Sequence, residues 1–301
     1  MNRPYTLAFC CLYFGGIGLS SKSAFQDKPQ QPVTYRLTDA LQAGDVVDVT
    51  ENMDMTISVQ ARVLTEESKQ MPVIDRVQSV FRMNVVAADA KGNPTTVRMT
   101  TTKEKRSFQA PGGKLISRDS SAVGKTVTLK KSGKKTIATL DKGKLSSEDR
   151  KSLSDALNGE NASIFPDYDL SIGEEWNLES LAFGKEFGGE GSETLTGRLI
   201  EVVQKLGRPC ARAKVEMEFN GNSKIAEYQM TMKLAGDVYY ALDIKRIIAV
   251  NVSGPVTITG EIPIEGLPVA FGGDGTARIN YNYKWLKVAG KPVKPASAAA
   301  K

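Results

Sequence analysis

Residues Val47–Val63 read VDVTENMDMTISVQARV, and this stretch decides the fold class. Its odd positions are apolar apart from Glu51, and its even positions are all polar. Such strict alternation predicts a long β-strand with one buried face and one face in water. A straight strand of this length would be about 56 Å long. We therefore expect the strand to bend or break near Glu51-Asn52.

The same alternation recurs along most of the chain, between residues that favour turns. It returns at Val77–Val85, Val97–Met99, Ala211–Phe219, Ala226–Leu234, Val238–Ile244, Ile248–Val252, Val256–Ile262 and Ala277–Trp285. Turn signals lie at Lys91–Pro94, Pro111–Gly113, Ser132-Gly133, Asn220–Asn222 and Gly272–Gly275. The predicted fold is therefore mainly β: antiparallel, strongly curved sheets that form an open barrel, a roll or a sandwich, with one short helix.

That helix is predicted from Ser146 or Ser147 to Asn158. A serine can cap its first turn, and Leu153, Ala156 and Leu157 share one face. Since this face is apolar, we expect the helix to plug or flank the β core.

The N-terminus has the pattern of a secretory signal peptide. A positive charge at Arg3 precedes the apolar run Thr6–Leu19, and small and polar residues follow at Ser20–Ala24. Cleavage after Ser20 or after Ser23 would fit the small-residue rule equally well. The apolar run is shorter than the roughly 20 residues of a membrane-spanning helix. We therefore expect an exported protein, periplasmic or secreted, with no transmembrane span after cleavage.

The chain is accordingly divided into a leader at 1–24, a linker at 25–32, a β domain at 33–288 and a disordered tail at 289–301. The β domain could consist of two halves, about 33–140 and 192–288, joined by a helix and an acidic connector at 145–191. Residues 103–144 are strongly basic and residues 145–193 strongly acidic, so these two blocks of charge cancel.

The absence of histidine limits the chemistry that the protein can perform. With no histidine among 301 residues, Ser-His-Asp catalysis, Cys-His catalysis and histidine-ligated metals are excluded. Loss of the leader would leave Cys210 as the single cysteine, so no intramolecular disulfide could form. Carboxylate, lysine and tyrosine chemistry stay open. We identify no catalytic residues, metal or cofactor, and the sequence favours a non-enzyme over an enzyme.

An acidic, aromatic loop is the first candidate site. It contains Asp167, Tyr168, Asp169, Glu174, Glu175 and Trp176. The spacing does not match an EF-hand, because Ile172 and Leu178 stand where a glycine and a glutamate are needed. Two of these carboxylates could serve a glycosidase. A solvated turn ending at a core tryptophan is the alternative interpretation.

A lysine-rich hairpin is the second candidate site. Lys125, Lys130, Lys131, Lys134 and Lys135 surround its tip at Ser132-Gly133 and could contact an anionic surface. They could also simply protect a sheet edge from aggregation. The segment Val123–Thr126 ends like a phosphate-binding loop, but Asp119 stands where that loop needs a glycine. We therefore predict no nucleotide binding.

Several landmarks of the chain, taken in order, resemble a domain-of-unknown-function family of secreted, β-rich bacterial proteins. They are Gly44-Asp45, Arg118–Ser120, Val123–Val127, Phe165-Pro166, Ile172–Trp176, the turn at Leu242-Asp243 and Ser253-Gly254. The resemblance covers most of residues 33–288. It implies export and a β fold, and it implies no particular activity.

We therefore expect a non-catalytic binding role in the cell envelope or outside the cell. The ligand could be apolar or anionic, and the partners are unknown: a lipid, an anionic polymer or an envelope protein. An apolar ligand could lie against the methionines on the inward strand faces, although an ordinary core would use them equally well; they are Met53, Met55, Met83, Met99, Met217, Met230 and Met232. The alternatives are a structural or protein-interaction module and a carboxylate-dependent hydrolase such as a glycosidase.

Overall fold

Long antiparallel strands dominate the protein. Its structure is a computed structural model that describes residues 33–38, 40–61, 70–110, 113–133, 135–153, 157, 164–179, 189–223, 228–264 and 267–294. The predicted leader and linker, at 1–24 and 25–32, lie outside these ranges. The elements are β1 (Thr34–Tyr35), β2 (Val46–Ala61), β3 (Gln70–Ala88), β4 (Pro94–Gln109), β5 (Ile116–Asp119), β6 (Thr126–Ser132), β7 (Lys135–Leu140), α1 (Ser147–Leu153), β8 (Leu170–Ser171), β9 (Glu175–Glu179), β10 (Gly189–Lys205), β11 (Arg208–Ser223), β12 (Tyr228–Ala241), β13 (Arg246–Ile264), β14 (Leu267–Val288) and β15 (Lys291–Pro292).

Thirteen strands form one antiparallel sheet in the order β7-β6-β4-β3-β2-β14-β13-β12-β11-β10-β9, with β5 beside β4 and β15 beside β14. Strands β1 and β8 form a separate two-stranded sheet. Among the described residues no pairing joins β7 to β9, so the sheet is not closed. Strand β2 pairs with β14 from Val46 to Ala61 and thereby joins the two ends of the chain. The predicted mainly β, antiparallel fold with one short helix is confirmed.

Bulges change which face the side chains of a strand occupy. On β13, Ile248 is an extra residue, because Tyr239 and Tyr240 pair with Ala249 and Ile247. On β4, Thr102 is an extra residue between two pairs: Val80 with Lys103, and Phe81 with Thr101. Such bulges bend a strand and increase its twist.

Glycines permit close contact between strands where the sheet curves. A Cβ on Gly275 would lie 2.0 Å from the carbonyl oxygen of Thr56 on the neighbouring strand. A Cβ on Gly236 would lie 1.9 Å from the carbonyl oxygen of Asn251. Because any larger residue would overlap with backbone there, these positions fit glycine alone.

The inward side chains pack into two hydrophobic cores. The large core spans β2 and β9 to β14 and includes Met55, Ile57, Phe165, Trp176, Val215, Met232, Leu234, Val252, Ile258 and Ile279. The helix-side core lies against α1 and includes Val47, Val49, Phe81, Met83, Val85, Val97, Leu129, Leu153 and Leu157.

Helix α1 begins as predicted and packs on the helix-side core. The Ser146 hydroxyl accepts a hydrogen bond from the Asp149 N–H at 3.0 Å, which caps the first turn. Leu153 and Leu157 are buried. The predicted helical positions 154–156 and 158 lie outside the described residues. In the described part of the chain, no helix has the length and apolar character needed to cross a membrane.

Strand β2 was expected to bend or break near Glu51-Asn52. It does not break there, because β3 pairs with it residue by residue from Val46 to Gln60. Two predicted turns were wrong. Asn220–Asn222 lies inside β11, and Gly272–Gly275 lies inside β14. Each of these two segments has hydrogen-bonded strands on both sides, and this pairing overrides the local preference for a turn. The predicted turns at Gly92 and Gly133 are present, both with positive φ.

The C-terminal segment keeps a regular structure beyond residue 289, where the predicted tail begins. The Gly290 N–H donates to the Gly44 carbonyl at 3.1 Å, and β15 pairs with β14. The predicted disorder therefore does not hold for residues 289–294, while 295–301 lie outside the described residues.

A buried ion pair fixes this end of the sheet. Asp45 and Arg246 are 2.8 Å apart, with side chains 0% and 6% exposed. The Asp45 carboxylate also accepts from the backbone N–H groups of Gln42 at 2.9 Å and Ala289 at 2.6 Å. The pair thus ties the start of β2 to β13 and to the turn after β14.

Candidate functional site

The acidic loop predicted from the sequence is held by ion pairs and backbone contacts. Asp167 and Asp169 both face Arg36, and Glu175 lies 3.8 Å from Arg198. Glu174 accepts a hydrogen bond from the Ser171 N–H at 2.8 Å. Each of these carboxylates thus has a partner in its own turn or on a neighbouring element. A ligand-binding role for the loop stays a prediction.

The aromatic residues of this loop differ in burial. Trp176 is 4% exposed, donates from Nε1 to the Ile164 carbonyl at 3.0 Å and lies 5.9 Å from the Phe165 ring. Gly197 leaves room for this indole, since a Cβ there would lie 2.1 Å from the ring. Tyr168, by contrast, is 45% exposed. Trp176 therefore belongs to the core.

The lysine-rich hairpin is formed by β6 and β7 at one end of the sheet. Lys130 and Lys135 are exposed, and Lys131 is half-buried. Lys125 donates from Nζ to the Lys144 carbonyl at 2.7 Å, so it braces a loop. Lys134 lies outside the described residues. Contact of these lysines with an anionic surface stays a prediction.

Cys210 is buried in the helix-side core, with its Sγ 3.4 Å from the Arg208 carbonyl oxygen. Burial raises the pKa of its thiol. Because the thiolate is the reactive form, this cysteine is a core residue and a poor nucleophile.

The methionines of the inward face fill the interior. Met55, Met83, Met99, Met230 and Met232 are buried in the two cores. Met53 and Met217 are partly buried and pack against the large core. A crevice between β10, β11 and β12, lined by Met217, Phe219, Met232 and Leu234 among others, holds about 10 Å³. That is room for roughly one water molecule and not for an apolar ligand.

A row of polar side chains interrupts the apolar inward face between the two cores. Tyr281 on β14 pairs with Glu51 on β2, Glu51 with Ser79 on β3, and Ser79 with Glu104 on β4. We call these four residues, with Arg106 next to Glu104 on the same face of β4, the polar row. At about 4.8 Å per strand, its four paired members span about 14 Å.

The members of the polar row differ in burial. Glu104 is 1% and Ser79 is 2% exposed, whereas Glu51 and Tyr281 keep partial access to solvent. The Tyr281 hydroxyl donates to Glu51 Oε1 at 3.0 Å, and Arg106 donates from Nε to Glu104 Oε1 at 3.0 Å. The Ser79 hydroxyl has no hydrogen-bond partner among the described residues.

The environment of the polar row disfavours a charge on Glu51. Burial raises the pKa of its carboxyl, the Tyr281 hydrogen bond opposes this, and the nearby Glu104 raises it further. Arg106 acts in the opposite direction, and the Ser79 hydroxyl lowers the pKa weakly from a geometry outside that of a normal hydrogen bond. The net result is that the pKa of the Glu51 carboxyl is raised.

Apolar and aromatic side chains flank the polar row. Val49 and Phe81 lie on its helix-side edge, and Met53 and Val77 lie on the other edge. Tyr281 stacks on Tyr283, with ring centroids 6.0 Å apart and ring planes 15° apart. Both tyrosines contact the two cores and are only partly buried. The row is therefore buried at Ser79 and Glu104 and partly exposed at Glu51 and Tyr281.

The sequence analysis missed this site, although one signal was present. Glu51 is the single charged residue among the odd positions of Val47–Val63, which the alternation places inward. Within the described ranges, no three acidic or cysteine side chains are grouped to hold a metal ion. The chain matches no protein-family model and no curated protein sequence. The family resemblance therefore stays a prediction.

Proposed function

We propose that this protein is a non-catalytic binding protein that acts outside the cytoplasm and holds a small polar ligand at the polar row. The observation that carries the proposal is the Ser79 hydroxyl, which is buried and without a hydrogen-bond partner among the described residues. The placement outside the cytoplasm rests on the leader pattern at Arg3–Ala24.

A buried hydroxyl without a partner is unfavourable by about 1–3 kcal/mol. An ordinary core would avoid that cost with alanine or valine at position 79. A ligand that hydrogen-bonds Ser79 would remove the cost, so the native residue is explained if the site is occupied during function. The partial exposure of Glu51 and Tyr281 gives such a ligand a route to the row.

Other binding roles have less support from the described residues. An apolar ligand would need an empty cavity, and the methionine-lined interior is filled. A protein-interaction module would need a broad exposed apolar patch. The exposed large apolar side chains are mostly scattered, with Leu115 and Ile116 adjacent at β5.

The binding role is tested by calorimetric titration of the full chain with five polar probes: diacetylchitobiose, citrate, glutamate, spermidine and adenosine. We expect one class to bind, and we expect Ser79→Ala and Glu51→Met to weaken it about tenfold each. Ser58→Ala, on the exposed outward face of β2, is the matched control and should bind like the native chain. Absence of binding by all five, or binding unaffected by Ser79→Ala, would contradict the proposal.

A carboxylate-dependent hydrolase is the second candidate, and Glu51 favours it. Glu51 and Glu104 lie two strands apart on the same face of the sheet, and glycosidases likewise use two neighbouring carboxyl groups. Glu51 has the raised pKa of a proton donor, whereas Glu104 is engaged by Arg106. Release of new reducing ends from chitin or cellulose oligosaccharides, abolished by Glu51→Gln with binding retained, would establish this activity. Binding with no turnover would leave the first candidate.

A further inference from the structure

The charge balance of the polar row bears on the ligand's chemistry. Arg106 and Glu104 form an ion pair at 3.0 Å and cancel each other. Burial raises the pKa of Glu51 and so favours its uncharged carboxyl. A charged ligand would lose hydration at the row, where the arginine is already paired with Glu104 and burial disfavours a charge on Glu51.

The hydrogen-bonding groups of the polar row also limit the chemistry of the ligand. A serine hydroxyl and a tyrosine hydroxyl can each donate and accept, and a carboxyl accepts in either protonation state. Ser79, Tyr281 and Glu51 supply these three kinds of group on neighbouring strands. Ligand hydroxyls also donate and accept, so they can match such a row in more than one orientation.

The tyrosine pair adds a flat apolar surface beside the polar groups. Tyr281 and Tyr283 stack nearly parallel, 15° between planes, and both stay partly exposed. An aromatic ring presents an apolar face and, in tyrosine, a polar tip. A sugar ring matches this arrangement, because it has apolar C–H groups on its face and hydroxyls around its edge.

We infer that the ligand is a neutral saccharide, whose ring lies against the Tyr281–Tyr283 pair and whose hydroxyls bond to Ser79 and Glu51. This inference rests on the proposed binding role of the polar row and specifies its ligand class. It accounts together for the unpartnered hydroxyl, the cancelled charge and the partly exposed aromatic pair.

The test compares three disaccharides of similar size: neutral diacetylchitobiose, cationic glucosamine disaccharide and anionic digalacturonate. We expect the neutral sugar to bind the full chain at least about tenfold more tightly than either charged sugar. Tyr283→Leu should weaken this binding about tenfold, and Tyr283→Phe should preserve it because the ring remains. Tyr168→Leu, in the exposed acidic loop, is the matched control and should change nothing.

A second readout works without any variant. Saturation-transfer NMR with irradiation of tyrosine ring protons should label the C–H protons of the bound neutral sugar most strongly. Equal affinity for a charged disaccharide, or no transfer from tyrosine, would overturn the saccharide assignment. If citrate, glutamate, spermidine or adenosine binds in a Ser79-dependent way while sugars do not, the ligand class is wrong and the binding role stands. If nothing binds, both fall.

Discussion

The Asp45–Arg246 pair and the polar row are both buried polar clusters, and both join distant parts of the chain. In the first, the Asp45 carboxylate accepts from Arg246 and from two backbone N–H groups. In the second, Glu51 and Glu104 each have a partner, whereas the hydroxyl between them has none among the described residues. Each cluster contains one buried polar atom without a hydrogen-bond partner among the described residues, Arg246 Nε in the first and the Ser79 hydroxyl in the second. Arg246 still donates through its two Nη atoms, to Lys245 and Asp45, whereas the hydroxyl is the only polar group of the Ser79 side chain.

This difference separates a structural role from a functional one. A buried ion pair with several further hydrogen bonds fixes the relative position of strands, and these contacts explain it structurally. An incomplete cluster on a partly open face lowers stability and needs another explanation. Substitutions at the two clusters should therefore change stability in different ways.

The largest expected effect is at the ion pair. Asp45→Asn removes the charge that compensates Arg246, which is 5% exposed. Loss of one partner of a buried pair is expected to destabilise the protein by about 3–5 kcal/mol. Urea unfolding followed by circular dichroism measures this loss.

Asp48→Asn is the matched control, three residues further along the same segment. Asp48 pairs with Arg82 at 2.7 Å on the outward face, where the Arg82 side chain is 55% exposed. We expect a loss below about 1 kcal/mol. Similar losses for the two variants would show that the Asp45 pair has no special structural role.

The sheet itself could be predicted because alternation is a local signal. The inward positions of β2, β3 and β14 follow from period two alone. The predictions failed where pairing decides the outcome, as at Asn220–Asn222, where strands on both sides extend β11 through a turn-like sequence. A single chain segment does not reveal how many strands will flank it.

The polar row was harder to predict for two physical reasons. Its members are dispersed over four strands, so no local run of sequence contains them. The bulge at Thr102 also shifts the alternation of β4, so that Glu104 points inward although the pattern at Val97–Met99 would place even positions outward. The acidic loop could be identified from the sequence because its charges are contiguous, and in the structure two of them pair with Arg36 and Arg198.

An intermediate effect is expected for two buried serines. Ser79→Ala removes a hydroxyl that has no partner in the described structure, so the free energy of unfolding should stay unchanged or rise by up to about 1 kcal/mol. Ser120→Ala is the matched control, because the Ser120 hydroxyl accepts from the Ala122 N–H at 3.1 Å. That variant should lose about 1 kcal/mol.

Thermal and urea unfolding of both variants without ligand measure this difference. A clear loss for Ser79→Ala would mean that its hydroxyl is satisfied in solution, for example by an ordered water. The polar row would then resemble the Asp45 cluster, and the argument for a ligand would lose its main support.

The smallest expected effect is a pH dependence of stability at Glu51. Its pKa in the folded protein is raised above the ordinary 4.5 by burial, so the folded state holds the proton more tightly than the unfolded state. The native chain therefore loses stability as the pH rises from 4.5 through the folded pKa. Glu51→Gln carries no such proton. Its stability relative to the native chain should increase over that window and be constant below it.

Asp149→Asn should behave in the opposite way. Burial acts to raise the pKa of Asp149, but hydrogen bonds from Ser121 and Ser146 outweigh burial and lower it below the ordinary 3.8. Its contribution to stability is present above pH 3.8 and is lost as the pH falls through the folded pKa. The variant should therefore be less stable than the native chain at neutral pH and approach it in acid. The free energy of unfolding of each variant, relative to the native chain, is measured as a function of pH. If it changes with pH in the same way for both variants, the distinction between an unfavourable carboxyl in the polar row and a hydrogen-bonded one at the helix is wrong.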